Sequence, residues 1–122
     1  MSRIEQIEAI FLRYPFPGHI RYVYSGGAVE NMDVCLIRVT DSEGRQGLGE
    51  VTHGQFCYEP ILGLVSHFSR VLKGHPAGNI NRAWDLMYQA SLFWNRAGIG
   101  IGVMGGIDIA LHDLLGKGLG EP

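Results

Sequence analysis

Side chains able to bind a small polar molecule are concentrated in two irregular stretches of this sequence. The first stretch, residues 15–29, carries His19, Arg21, Tyr22 and Tyr24. Arginine presents paired N–H donors to a carboxylate, and tyrosine presents a hydroxyl on a rigid ring. These residues are suited to a polar, anionic ligand. They are also compatible with a structural role, in which the two tyrosines pack the loop down and Arg21 is solvated.

The second stretch, residues 52–58, offers His53, Gln55, Phe56 and Tyr58 as further candidates. His53 is the strongest single candidate for a ligand contact among them. If the stretch continues the two-residue alternation of a strand, His53 and Phe56 face opposite sides. We therefore do not expect these two side chains to act as one cluster.

No spacing in the sequence assembles a nucleophile with a base, or a full set of metal ligands. Asp108 and His112 are four residues apart and share a helix face, but two ligands do not make a metal site. Asp113 and Lys117 have the same spacing and predict an ion pair worth roughly a few tenths of a kcal/mol. Glu50, at a strand end, is predicted to have a structural role, because its carboxylate can accept hydrogen bonds from neighbouring backbone N–H groups.

Three glycines near the C-terminal end match a nucleotide-binding motif. Gly100, Gly102 and Gly105 have the spacing G-x-G-x-x-G. That motif opens a βαβ unit and is followed by an acidic residue about 20 positions later. Neither condition fits this chain, so nucleotide binding is disfavoured. The glycines are better explained by a helix that begins close to another element.

Composition indicates a globular protein whose partner is a small molecule or another protein. Of the 122 residues, 46% are hydrophobic and 18% charged, and the net charge is -2. This balance argues against nucleic acid or an anionic membrane surface as a partner. No apolar run reaches the roughly 18 residues of a membrane span, and the N-terminus is charged, so we expect a cytoplasmic protein. Without a secretory signal, Cys35 and Cys57 are predicted to be free thiols.

Hydrophobic periodicity predicts strands followed by helices, which defines an α+β fold. Two-residue alternation predicts a three-stranded antiparallel meander within residues 3–51, interrupted by a long loop at 15–29. Apolar stripes at helical spacing predict three helices, near residues 59–73, 80–94 and 103–117. His67 and His75, on a helix flank and in a loop, are predicted to be solvated.

Two segments, in the context of these elements, carry a resemblance to a known family. They are "GGIDIALHDLLGK" at 105–117 and "GLGEV" at 47–51. With the predicted meander and helices, they resemble the N-terminal capping domain of the enolase superfamily, in the mandelate racemase and muconate-lactonizing branch. The resemblance extends over essentially all of residues 1–122. One departure is His112, where the family more often has a tryptophan before the aspartate.

In the family that this chain resembles, the domain is followed by a TIM-like barrel that binds Mg²⁺ and supplies lysine or histidine bases. The resemblance implies that residues 1–122 form one lid and specificity domain, cut at its junction with the barrel in "GLGEP". It implies no catalytic or metal-binding residue in this chain. Loops 15–29 and 52–58 are expected to close over the barrel mouth, with the first loop mobile until substrate binds. The implied substrate-binding residues are His19, Arg21, Tyr22, Tyr24, His53 and Phe56.

The resemblance also implies a reaction, the removal of a proton alpha to a substrate carboxylate. The polar residues of the first loop favour a sugar acid, and therefore an acid-sugar dehydratase. The alternative within the superfamily is a racemase, an epimerase or a cycloisomerase. An alternative of another class is a non-catalytic α+β module that binds a small acid or a partner protein. The expected partners are the substrate, the chain's own barrel domain and further copies in a homo-oligomer.

Overall fold

The computed structural model describes residues 1–122 as strands followed by helices, which confirms the α+β prediction. Five strands and a short 3-10 segment come first, and three α-helices follow. The strands are β1 (Ile4–Pro15), β2 (Tyr22–Tyr24), β3 (Gly27–Val29), β4 (Asn31–Asp41) and β5 (Gln46–Val51). The 3-10 segment is Thr52–Gln55, and the helices are α1 (Glu59–Leu72), α2 (Ile80–Ala90) and α3 (Ile99–Leu119).

The main sheet has three antiparallel strands in the order β1-β4-β5, as the meander prediction requires. Phe11 pairs with Cys35, and Cys35 pairs with Val51 across the central strand. Because side chains alternate between the two faces, Cys35, Ile37 and Val39 all point to one side, where they are fully buried. The helices cover this face, so the hydrophobic core lies between the sheet and the helices.

The loop predicted at 15–29 is in part a β-hairpin, which corrects the sequence prediction. β2 pairs with β3 from Tyr22 opposite Val29 to Tyr24 opposite Gly27. Gly27 has φ +138, a conformation that L side chains rarely adopt. Each strand has three residues, which is too short for an alternating pattern to be recognised. Of the glycines that suggested an irregular loop, Gly26 lies in the two-residue turn of the hairpin and Gly27 begins β3.

The helices agree with the prediction in number and order but differ in their ends. α2 ends at Ala90, four residues before the predicted position. Next to it, Ser91 donates its hydroxyl to the carbonyl of Met87 at 2.7 Å and accepts from the amide of Asn95 at 3.0 Å. α3 begins at Ile99, four residues earlier than predicted, directly after Gly98 with φ +86. The glycine-rich start of α3 is stabilised by packing, which overrides its poor intrinsic helix propensity.

α3 lies unusually close to the sheet because glycines face each other across the contact. A Cβ atom on Gly47 would collide with the backbone of Ala110, and one on Gly49 would collide with the backbone of Gly106. The glycines of the presumptive nucleotide motif serve the same purpose within α3. A Cβ on Gly102 would collide with the ring of His53, so close packing explains this residue as predicted.

α3 is long and apolar enough, by length and composition alone, to cross a membrane, although Asp108 and Asp113 interrupt its apolar run. Its apolar residues have another partner in this fold. Most of them face the core, and the buried set is Val103, Met104, Ile107, Ala110, Leu111 and Leu114. Of the stripe predicted for α3, four residues are buried and Leu115 is 37% exposed.

Candidate functional site

The two candidate loops meet at one end of the main sheet. The hairpin leaves β1 after Pro15 and returns to β4 at Asn31, and Pro15 pairs with Asn31. The 3-10 segment follows directly after Val51, the last residue of β5. Between them lies a cleft of about 420 Å³, lined by Phe16, Tyr22, Val29, Met32, Asp33, Val34, Glu50, Thr52, Gln55 and Phe56. Two of the six predicted residues, Tyr22 and Phe56, line this cleft.

Aromatic rings from both loops flank the cleft and remain open to solvent. Tyr22 is 72% exposed and Phe56 70% exposed. The ring of Tyr24 lies 6.3 Å from that of Phe56, centroid to centroid. The structure therefore brings Phe56 together with the first loop. Aromatic side chains left this exposed at the mouth of a cleft are available to a ligand or a covering surface.

His53 lies apart from the cleft lining. The stretch predicted to alternate as a strand is a 3-10 segment, so the two-residue argument that separated His53 from Phe56 does not apply. The His53 carbonyl accepts hydrogen bonds from the N–H groups of Phe56 and Cys57, at 3.0 and 2.9 Å. Its ring is exposed and contacts α3 at Gly102.

Arg21 and His19 are exposed and lie outside the cleft. Arg21 lines a smaller neighbouring hollow of about 310 Å³ together with Pro17, Ile20 and Glu30. It forms no salt bridge, so its guanidinium is free to meet an anion. His19 lines neither cavity. The structure therefore places the basic groups of the first loop next to the cleft and not within it.

The acidic residue in the cleft wall, Asp33, was not identified as a site residue from the sequence. Arg13, its neighbour on β1, donates two hydrogen bonds of 2.8 Å to the carboxylate. Hydrogen bonding by this guanidinium holds the pKa of Asp33 below its usual value. The carboxylate is thus ionised and already paired. Only the strand register, which sets Arg13 opposite Asp33, could have revealed this pair.

Three other residues of this region have surroundings that the sequence did not reveal. Gln55 uses both polar atoms on the backbone of β4, donating to Asn31 and accepting from Asp33. The ring of Tyr58 packs 4.3 Å from that of Phe11. The carboxylate of Glu50 lines the cleft and accepts no hydrogen bond from residues 1–122, so its role in bracing the junction with a barrel stays a prediction.

The ion pair predicted on α3 forms between Asp113 and Lys117. Nζ of Lys117 lies 2.7 Å from the carboxylate of Asp113, which also accepts from the backbone N–H of Leu48 at 2.7 Å. These two donors hold the pKa of Asp113 below its usual value. His112 Nδ1 lies 3.5 Å from the Asp108 carboxylate at the rim of an open groove. No three His, Cys, Asp or Glu side chains gather anywhere in the chain to form a metal site.

His67 and His75 are not solvated, which contradicts the prediction. Both are half-buried, and Nε2 of each is buried without a hydrogen-bond partner. The His67 ring packs edge-on against Phe68 and Trp94, with centroids 5.4 and 5.7 Å away. The sequence placed His67 on the flank of α1 but could not show that the segment after α2 folds back over it.

Comparison with known proteins identifies the chain. The fold, a three-stranded meander with three helices and two loops at one sheet end, is the α+β type of N-terminal domain found in the enolase superfamily. The sequence pattern "Mandelate racemase / muconate lactonizing enzyme, N-terminal domain" matches residues 6–122. The chain therefore belongs to the mandelate racemase and muconate lactonizing enzyme family, and it corresponds to the N-terminal domain of that family.

One curated relative and two solved structures are similar to this chain. An L-rhamnonate dehydratase of Saccharopolyspora erythraea is 33% identical over 92 residues, 75% of this chain and 23% of the relative. A racemase of Streptomyces coelicolor A3(2) with bound magnesium is 27% identical, with a TM-score of 0.77 over 93% of this chain and 32% of its own. L-Talarate dehydratase of Polaromonas sp. JS666, complexed with Mg and L-glucarate, shares the fold with a TM-score of 0.84 at 19% identity, covering 98% of this chain and 33% of its own.

The chain spans 23% to 33% of the length of these proteins. Most of each relative therefore has no counterpart in residues 1–122. The comparisons establish the family and the fold, and they leave the activity of the whole protein to be inferred.

Proposed function

We propose that residues 1–122 are the lid and substrate-specificity domain of a Mg²⁺-dependent acid-sugar dehydratase. In this proposal the chain's own C-terminal barrel follows Pro122, binds the metal and supplies the bases that remove the α proton of a carboxylate substrate. The enzyme is cytoplasmic and homo-oligomeric. The similarity to L-rhamnonate dehydratase, at 33% identity, supports the sugar-acid class.

One observation carries the proposal. Two loops converge at one end of the sheet and expose side chains that can bind a ligand, with no group of catalytic residues among them. Tyr22 and Phe56 line the cleft, and the unpaired guanidinium of Arg21 lies beside it. Arginine can hold the carboxylate of a sugar acid, and Tyr22 and Tyr24 can hydrogen-bond its hydroxyls. His53 and His19 are exposed on the same two loops but lie outside the cleft. These groups bind and orient a substrate, and closing them over it excludes water.

The residues present do not form a site for Mg²⁺. The chain lacks a cluster of three possible ligands, and the carboxylates nearest the cleft are Asp33, which is paired with Arg13, and the isolated Glu50. No step of the proposed reaction is therefore assigned to a metal held by this chain.

A second candidate is a racemase or another isomerase of the same family. The magnesium-bound racemase of Streptomyces coelicolor A3(2), at 27% identity, favours it. The two candidates differ in the fate of the intermediate. A dehydratase expels a hydroxide, whereas a racemase returns the proton, and that choice depends on groups outside residues 1–122. A non-catalytic binding module, the third possibility, predicts no turnover at all.

Kinetics of the full-length protein on a panel of sugar acids test the proposal. Arg21→Ala and His53→Ala should each lower kcat/KM for the true substrate by about tenfold or more, because each removes a hydrogen bond to a charged or polar group. Melting temperatures should stay near that of the wild type, since both side chains are exposed. The matched controls are Arg82→Ala and His112→Ala, on the exposed faces of α2 and α3.

Hydrogen exchange gives a second readout of the same proposal. Without substrate, residues 16–30 should exchange faster than β4, because the hairpin has only a short two-stranded ladder and little buried surface. A substrate that closes the lid should slow this exchange. If neither variant differs from its control in kinetics, substrate specificity lies outside the two loops.

A further inference from the structure

The 3-10 segment is fastened to the sheet by one side chain. β5 pairs with β4 only as far as Val51, opposite Cys35, so residues 31–34 of β4 have no strand on that side. Gln55 occupies the vacant edge. Its Oε1 accepts from the backbone N–H of Asp33 at 3.0 Å, and its Nε2 donates to the carbonyl of Asn31 at 3.0 Å.

The amide of Gln55 therefore replaces a strand residue. Residues two apart on a strand present their N–H and C=O groups to the same edge, which is why Asn31 and Asp33 can both meet a single partner. A primary amide has one acceptor and one donor group side by side, so it satisfies both at once. No other residue type offers this combination on a side chain of this length.

A second contact fixes the height of the segment above the sheet. Gly54 lies so close to Cys35 that a Cβ atom there would collide with the cysteine side chain. Gly54 and Gln55 thus hold the segment down, while the neighbouring His53 and Phe56 stay exposed.

The same amide also reaches the base of the hairpin. Asn31 follows the end of β3 by two residues, and the N–H of Phe16 donates to the carbonyl of Glu30 at 2.9 Å just before it. At the outer end, the ring of Phe56 meets that of Tyr24. The hairpin and the 3-10 segment are consequently joined at two levels, by Gln55 below and by the aromatic contact above.

We propose that Gln55 is a positioning residue that keeps the 3-10 segment and the hairpin base in a fixed relation, and so determines which acid the cleft accepts. This inference rests on the proposed lid function. Gln55 acts through the next residue, Phe56, which lines the cleft. Without its amide, the backbone groups at the vacant edge of β4 would be exposed to water. The 3-10 segment would then move independently of the hairpin.

Three variants of the full-length protein test this role. Gln55→Met has a similar length but forms neither hydrogen bond. Gln55→Glu keeps the acceptor for the Asp33 N–H but lacks the donor for Asn31. Gln89→Met is the control, because Gln89 is exposed on α2 and makes no side-chain hydrogen bond.

We expect Gln55→Met to raise KM for the preferred sugar acid about tenfold, with kcat changed by less than about twofold, and to weaken discrimination between acids. The KM of Gln55→Glu should fall between those of Gln55→Met and Gln89→Met.

Hydrogen exchange separates positioning from general stability. Exchange in residues 31–34 and 52–56 should accelerate in Gln55→Met, while α3 keeps wild-type rates. Unchanged exchange in both segments, or a KM equal to that of Gln89→Met, overturns the inference. So does faster exchange in α3 as well, which would show a loss of overall stability. If the wild type turns over no acid of the panel, the proposed function fails, and exchange alone decides whether Gln55 joins the two segments.

Discussion

Asp41 shows how one buried carboxylate organises the turn at the end of the sheet opposite the cleft. Its side chain is fully buried and accepts from the backbone N–H groups of Glu43 and Arg45, at 3.0 and 2.9 Å. The Arg45 side chain adds a third hydrogen bond of 2.9 Å. Burial acts to raise the pKa of Asp41, but the hydrogen bonds from Arg45 and Glu43 outweigh it and hold the pKa below its usual value.

Replacing Asp41 should reduce stability in a pH-dependent way. Asp41→Ala removes the acceptor for three donors and should lower the free energy of unfolding by about 2 kcal/mol at pH 7, and Asp41→Asn by about half as much. Because the folded pKa lies below the unfolded one, the stabilisation is complete above about pH 4 and is lost as the pH falls through the folded pKa. Urea denaturation at several pH values measures both effects.

The surface variant Glu43→Gln is the control for this experiment. Glu43 is half-exposed and pairs with the same arginine, so its loss should change the free energy of unfolding by less than about 0.5 kcal/mol. A stability difference between wild type and Asp41→Asn that stayed constant from pH 7 down to pH 2 would contradict the assignment.

At the scale of elements, replacing glycine by alanine should change the free energy of unfolding in opposite directions at Gly49 and Gly63. Gly49→Ala forces α3 away from β5 and should lower the free energy of unfolding by about 2 kcal/mol or more. Gly63→Ala, on the exposed side of α1 with open space around it, should raise it by roughly 0.5–1 kcal/mol through helix propensity. Thermal or chemical unfolding of both variants measures the pair. Equal effects would mean that α3 tolerates more separation from the sheet than its backbone contacts indicate.

Elements with a long apolar pattern could be predicted from the sequence, whereas contacts between distant segments could not. The predicted stripe of α1 placed this helix correctly, because burial on one face imposes helical spacing. Of its members Ile61, Leu64, Val65, Phe68 and Leu72, all are buried except Leu64, which is partly buried against the core. The hairpin at 22–29 was missed because its strands are too short to show a pattern. The role of Gln55 was missed because an amide at the end of a strand looks the same whether it meets a ligand or a neighbouring backbone.

Besides the two loops at the cleft, the molecule leaves apolar side chains uncovered on the outer face of the sheet and in the segment after α2. On the outer face of the sheet, Leu12, Tyr14 and Met32 are each about half exposed. After α2, Phe93 is 95% exposed and Trp94 55%. Patches of this kind mark contacts with other protein surfaces. In the proposed full-length enzyme, we expect the second patch, within residues 92–106, to contact the barrel.

Residues 1–122 alone should therefore be inactive and should associate. An enediolate formed by removing an α proton requires a divalent cation held by several oxygen ligands, and this chain gathers no three of them. Calorimetric titration should show no tight Mg²⁺ binding, and sugar acids in D₂O should not exchange their α protons. Sedimentation should show species larger than a monomer. Micromolar Mg²⁺ binding or measurable exchange would defeat the lid-domain proposal.

The two cysteines differ in a way that offers a built-in label for the cleft. Cys57, one residue past Phe56, is exposed, whereas Cys35 is buried, and burial together with the charge of Glu50 raises the pKa of its thiol. Because the thiolate is the reactive form, a maleimide dye reacts with Cys57 before it reacts with Cys35. A fluorophore at that position sits beside the 3-10 segment without any engineered substitution. Its emission can then report in real time when the two loops come together.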